Sequence, residues 1–160
     1  MKALKNLLLI VLASTFLVSC DKIDLKDLFD KGPKDEISKS GLILSGNQEV
    51  PVRTTAATGS MNVTYNKKTK VLTYKITWNN LTGNPIGSHI HGEAPRGVNA
   101  PIKHDFTALL PKTISGTFTN SVLVDEVAIK EAGLLSGLYY VNIHTPTFPG
   151  GEIRGQIEFN

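Results

Sequence analysis

The 160-residue chain has one cysteine, Cys20, so it can form no disulfide within itself. That excludes the small secreted scaffolds that replace a hydrophobic core with cross-links. Charge gives no lead to a polyanionic partner. The formal charge is only +3, and no basic stripe of the kind that tracks a nucleic-acid backbone is present. The chain also lacks a glycine-rich phosphate cradle, a nucleophile elbow and a defensible Ser/His/Asp arrangement. Nothing marks a carboxylate pair for glycoside hydrolysis. There is no internal repeat and no low-complexity tract. The length suffices for one good core and not for two.

What is present begins with the N-terminus. Lys2 and Lys5 precede an apolar stretch over residues 7–16, the order of a signal peptide. A bilayer wants ~20 apolar residues, so this run is a poor permanent span. Leu17-Val18-Ser19-Cys20 resembles the bacterial lipobox, which implies cleavage before Cys20 and lipidation of its thiol. Residues 1–19 are therefore expected to be a signal peptide, and residues 20–40 a lipidated cysteine and flexible tether. Residues 41–160 are expected to be the folded domain. Removal of Lys2 and Lys5 leaves 15 basic against 14 acidic residues, so the mature chain is near neutral. The expected location is a bacterial cell membrane, on the outer membrane or the periplasmic face, with the lipid as the membrane contact. The tether stretch is dense in charge of both signs and can bury little.

From Gly41 onward apolar residues recur at every second position, the signature of half-buried strands. Met61, Val63 and Tyr65 alternate with polar residues, and Leu72, Tyr74, Ile76 and Trp78 do the same. Asn66-Lys67-Lys68-Thr69 between them reads as a hairpin turn. Further alternation runs through Ile114 and Phe118, and through Ile153, Ile157 and Phe159. Residues 138–143 form another strand, separated from the last by a Pro/Gly-rich loop, so these two are expected to pair. Residues 125–133 carry acids first and Gly133 last, the order of a short helix. The expected fold is all-β: an antiparallel, Greek-key-like β-sandwich with one short helix.

Four stretches stand out together: residues 45–51 (SGNQEVP), 88–92 (SHIHG), 139–145 (YYVNIHT) and 149–157 (PGGEIRGQI). In this order they resemble the chordin-type (CHRD) domain over about residues 41–159. The resemblance implies a β-sandwich module of extracellular animal proteins and exported microbial ones, without an established molecular activity. The expected role is binding or structural, with no catalysis. An envelope protein or extracellular ligand would be its partner.

The four histidines admit a second reading. His89 and His91 share one face of a strand, roughly 6.5 Å apart along it, with Ile90 on the other. Such a pair offers two imidazoles to one copper or zinc ion. His144 shares a face with Tyr140 and Asn142. The spacing of His89, His91, His104 and His144 also resembles copper-zinc superoxide dismutase, and Arg154 is the nearest match to that family's substrate-guiding arginine. The remaining zinc ligands and the disulfide of that family have no counterpart here. The candidate metal ligands are thus His89, His91, His144 and His104, with Asn142, Glu152 and Arg154 in support. Redox chemistry is the third and most remote reading. Alternatively the imidazoles are structural, each tied to a carbonyl or carboxylate. Glu152 and Arg154 fall on one strand face, where an exposed pair would contribute ~0–1 kcal/mol.

Overall fold

The computed structural model describes residues 35–160. The signal peptide, Cys20 and most of the tether lie outside the described residues. Eight strands are present among them: β1 (Glu36–Ser45), β2 (Thr58–Asn66), β3 (Val71–Asn79), β4 (Gly87–Gly92), β5 (Ile102–Asp105), β6 (Gly116–Leu123), β7 (Tyr139–His144) and β8 (Ile153–Ile157). A helical turn, Gly46–Gln48, follows β1, and one short helix, α1 (Glu131–Leu135), precedes β7. The expected all-β class with a single short helix is what forms. β1 takes up residues 36–40, which their charge had assigned to the tether, because they pair with β2.

The strands are ordered β5-β4-β7-β8-β1-β2-β3-β6, and every neighbouring pair is antiparallel. Between β8 and β1 a single position is in register, Ser45 with Arg154. The sheet turns a corner at this joint, and its two halves face each other as the layers of a sandwich. Gly155 allows the close crossing: a Cβ there would sit 2.7 Å from the Ile43 carbonyl oxygen. At the far edges the halves meet again, where Phe106 after β5 stacks on Phe118 of β6 with ring centroids 5.9 Å apart. The sheet is nearly closed into a barrel.

The core lies between the halves. One side supplies Leu44, Met61, Tyr65, Leu72, Tyr74, Ile76 and Trp78; the other supplies Ile90, Tyr139, Val141, Ile143, Ile153 and Ile157. Removing each such side chain from water is worth about 1.5–3 kcal/mol. The β2–β3 hairpin forms where the sequence marks it. The Asn66 side-chain oxygen accepts from the backbone N–H groups of Lys68 and Thr69, and Lys70 takes the left-handed conformation at φ 57°. Asp125 caps a turn rather than the helix, while Glu126 accepts from the N–H of Glu131 at the helix start. Asp125 accepts from the N–H groups of Val127, Ala128 and Ile129, and helix α1 starts only at Glu131. Ile129 in this turn is buried in the core.

Candidate functional site

The functional interest lies on the outer face of the half-sheet β5-β4-β7-β8. Strand alternation puts Ile90, Val141 and Ile143 in the core and turns His89, His91, Tyr140, Asn142, His144, Arg154 and Gln156 outward. A bare antiparallel sheet would leave these in water. Here the loops over residues 93–101, 145–152 and 49–57 cover them, and Tyr140, Asn142, Arg154 and Gln156 are all buried. A covered polar face is stable only if its donors and acceptors find partners.

The partners are specific. His91 Nδ1 lies 2.8 Å from the Ala100 carbonyl, and His144 Nδ1 lies 2.9 Å from that of Pro149. A carbonyl only accepts, so both rings carry their hydrogen on Nδ1. Burial pushes both imidazoles below their ordinary pKa, and His89 down to about 4, so all three rings are neutral at pH 7. A neutral ring holds one hydrogen, which leaves Nε2 of His91 and of His144 as bare lone pairs. Both point at the same atom, the Asn142 side-chain oxygen, at 3.0 Å each. His89 Nδ1 stands 3.0 Å from His144 Nε2. The other nitrogen of His89 has Thr107 Oγ1 at 3.5 Å and Asp105 at 3.8 Å.

One nitrogen from each of the three rings thus lies within 4.8 Å of the other two. Ligand atoms around a tetrahedral zinc sit about 3.4 Å apart at bond lengths of ~2.0–2.1 Å, so modest rotamer changes close the group. The loop carbonyls behind His91 and His144 fix tautomer and ring orientation in the manner of the outer partners of metal-binding histidines. The structural reading of the imidazoles, each tied to a carbonyl, holds for one nitrogen of His91 and of His144. Their other nitrogens converge.

His104 does not join the group. It pairs opposite Ile90, and residues directly opposed in an antiparallel pair share a face, so its side chain lies on the core side. There its Nε2 meets the Tyr74 hydroxyl at 3.2 Å. A four-histidine arrangement is therefore not formed. Asn142 lies among the three rings. Arg154 stands one layer away: its guanidinium carbon is 3.3 Å from the Tyr140 ring centre, and Tyr140 stacks on His91 at 4.8 Å with the planes 3° apart. Glu152 is elsewhere. It is fully buried and accepts from the Thr55, Thr82 and Thr145 hydroxyls and the Thr82 N–H, which pins three loops together. Glu152 and Arg154 do not pair with each other, and neither is exposed, because the covering loops provide their partners.

Glu49, in the 45–51 motif, went unassigned in the sequence because nothing in a loop motif shows burial. It is 3 % exposed, its Oε1 has no hydrogen-bond partner, and burial raises its pKa to about 7 against the pull of Arg154 and a hydrogen bond from Asn142. Gly151, at φ 115°, leaves room for it: a Cβ there would strike the Glu49 carboxyl and come within 2.9 Å of the Asn142 nitrogen.

The fold and its covered face define an antiparallel β-domain of the kind the four motifs imply. Residues 41–157 match the family model of the CHRD domain, and the chain belongs to that family, which suggests a binding or structural module. No curated protein and no solved structure matches it.

Proposed function

We propose that this chain is an exported lipoprotein, held to a bacterial envelope membrane through Cys20, whose CHRD domain binds a copper or zinc ion with His89, His91 and His144. One observation carries the metal reading. Nε2 of His91 and Nε2 of His144 both face the oxygen of Asn142 at 3.0 Å, and Nδ1 of His89 stands 3.0 Å from His144 Nε2, so nitrogens of all three rings converge on one place. His91 Nε2 and the Asn142 oxygen are two acceptors in contact, and a cation beside them turns their repulsion into coordination. Neutral imidazole nitrogen is the donor type that copper and zinc favour. His89 would join by shifting its hydrogen from Nδ1 to Nε2, toward Thr107 and Asp105. The site would hold an ion without turning over a substrate.

The anchor reading is supported by the lipobox-like sequence, and Cys20→Ser should move the protein from the membrane fraction to the soluble one. The metal reading is tested by copper and zinc content and affinity, with the His89→Gln/His91→Gln variant alongside. The expected result is one ion per chain with submicromolar affinity, lost by at least ~100-fold in the variant. No binding, or weak binding that the variant keeps, removes the metal from the proposal and leaves a binding or structural module.

A further inference from the structure

A cavity of about 480 Å³ opens beside the histidine group, between the loop carrying residues 47–52 and the loop carrying Arg96 and Gly97. None of the three histidines lines it. Its size falls within the ~300–1,000 Å³ typical of small-molecule sites. Val50, Pro51 and Val52 form an apolar wall, and Arg154 and Gln156 come from β8. Asn99 ties the two loops by donating to the Val50 carbonyl at 3.0 Å.

The polar groups around this space differ in one respect. Arg96 is spent on Glu158, at 2.6 and 2.8 Å, and on Gln48 at 2.6 Å. Gln156 donates to the carbonyls of Ala94 and Gly137. Arg154 is the exception. It is 1 % exposed, yet it takes part in none of the ion pairs among the described residues. Its named hydrogen bonds go to two neutral acceptors, Asn99 Oδ1 at 3.3 Å and the Val98 carbonyl at 2.9 Å. The carboxyl nearest in charge terms, Glu49, is itself buried with one oxygen unpartnered. Glu49 lines the same cavity but makes no ion pair with Arg154, so the buried guanidinium is only partly offset, and completing its neutralisation is a driving force for an anion.

We infer that this cavity is a binding site for a small organic acid, with the carboxylate on Arg154 and a compact apolar body against Val50, Pro51 and Val52. Guanidinium and carboxylate match as a two-pronged, charge-assisted pair, and the apolar wall sets the size of the rest. The site does not depend on the metal reading, since it uses none of the three histidines.

The test is titration of the full-length chain in detergent, without added copper or zinc, with phenylacetate and with its neutral analogue phenylacetamide. A third probe, N-acetylphenylalanine, stands in for the free end of a peptide. Phenylacetate should bind at least ~10-fold more tightly than the amide, the margin of a charge-assisted contact. If N-acetylphenylalanine alone shows that preference over its own amide, the acid recognised is a chain terminus, and the inferred chemistry stands. Arg154→Met should abolish the preference. Val52→Asp guards against a variant that fails to fold, because Val52 is 63 % exposed, and should weaken the acids by a similar factor while leaving the amides unchanged. Equal binding of acid and amide in both pairs, or acid binding that Val52→Asp leaves intact, overturns the inference.

Discussion

The two halves of the sheet are built on the same alternation and end in different surroundings. In β1-β2-β3-β6 the outward side chains meet water, as Thr73 and Lys75 do, and make only surface contacts such as Ser38 with Thr64. In β5-β4-β7-β8 the outward side chains are just as polar but lie under loops. The first face could be repopulated with almost any polar residue at little cost. The second cannot, because each buried donor or acceptor left without a partner costs ~1–3 kcal/mol. The difference teaches where to look for function: the half whose outward polar groups are covered and held by specific partners carries His89, His91, His144 and Arg154, with Glu49 in a loop above it.

That contrast can be broken by substitution. The largest effect is expected for Glu152→Ala, which removes a buried carboxylate from three threonine hydroxyls; it should cost about 3–5 kcal/mol in urea unfolding. A cost below about 1 kcal/mol would show that the loops hold without it. Next comes Glu49. In the folded chain it keeps its proton to about pH 7, while the unfolded carboxyl titrates near 4.5. The folded state therefore binds more protons between those values, and this group's contribution to stability falls as pH rises through that window. Comparing wild type with Glu49→Gln at about pH 5 and about pH 8 should reveal a relative change on the order of 2–3 kcal/mol, with wild type losing ground at the higher pH. A constant difference would mean that Glu49 ionises normally.

A matched pair sharpens the comparison further. Thr145→Val, on the covered side, deletes a fully buried hydroxyl that donates to Glu152 at 2.7 Å. It should cost about 1–3 kcal/mol of stability. Thr73→Val makes the same chemical change on the open half and should stay within about 0.5 kcal/mol of wild type. Equal costs in thermal melts would erase the distinction between the halves.

Much of this was legible in the sequence, and the physics explains which parts. The period-two rule put His89 with His91, and His144 with Tyr140 and Asn142, on single faces, because side-chain parity within one strand is a local property. Trp78, Tyr74 and Leu72 read as core for the same reason. Parity between strands is not local. His104 lies beyond a loop of nine residues and next to a register irregularity, so the face it takes could not be counted from His91. Arg154 and Glu152 could be placed on one face but their burial could not be read, because alternation reports which face a residue takes, not what covers that face. The covering loops carry no periodicity at all. Glu49 was invisible for that reason too, since its burial comes from Gly151 and Arg154, a hundred residues downstream.

The joint between β1 and β8 also bears on how the molecule comes to exist. The first strand of the domain is not an edge: it sits between β2 and the last strand of the chain. During synthesis β1, β2 and β3 can zip as a meander from neighbouring sequence, which is fast because little loop entropy is lost. β1 must then hold its second edge open until residues 153–157 arrive to close it. Pairing so distant in sequence is slow, and an open edge is an aggregation hazard while it lasts. Because β8 also brings Arg154 beneath Tyr140 and completes the bed under β7, the histidine group and the neighbouring cavity are finished in the same late event. The completeness of this face is thus a readout of completed folding.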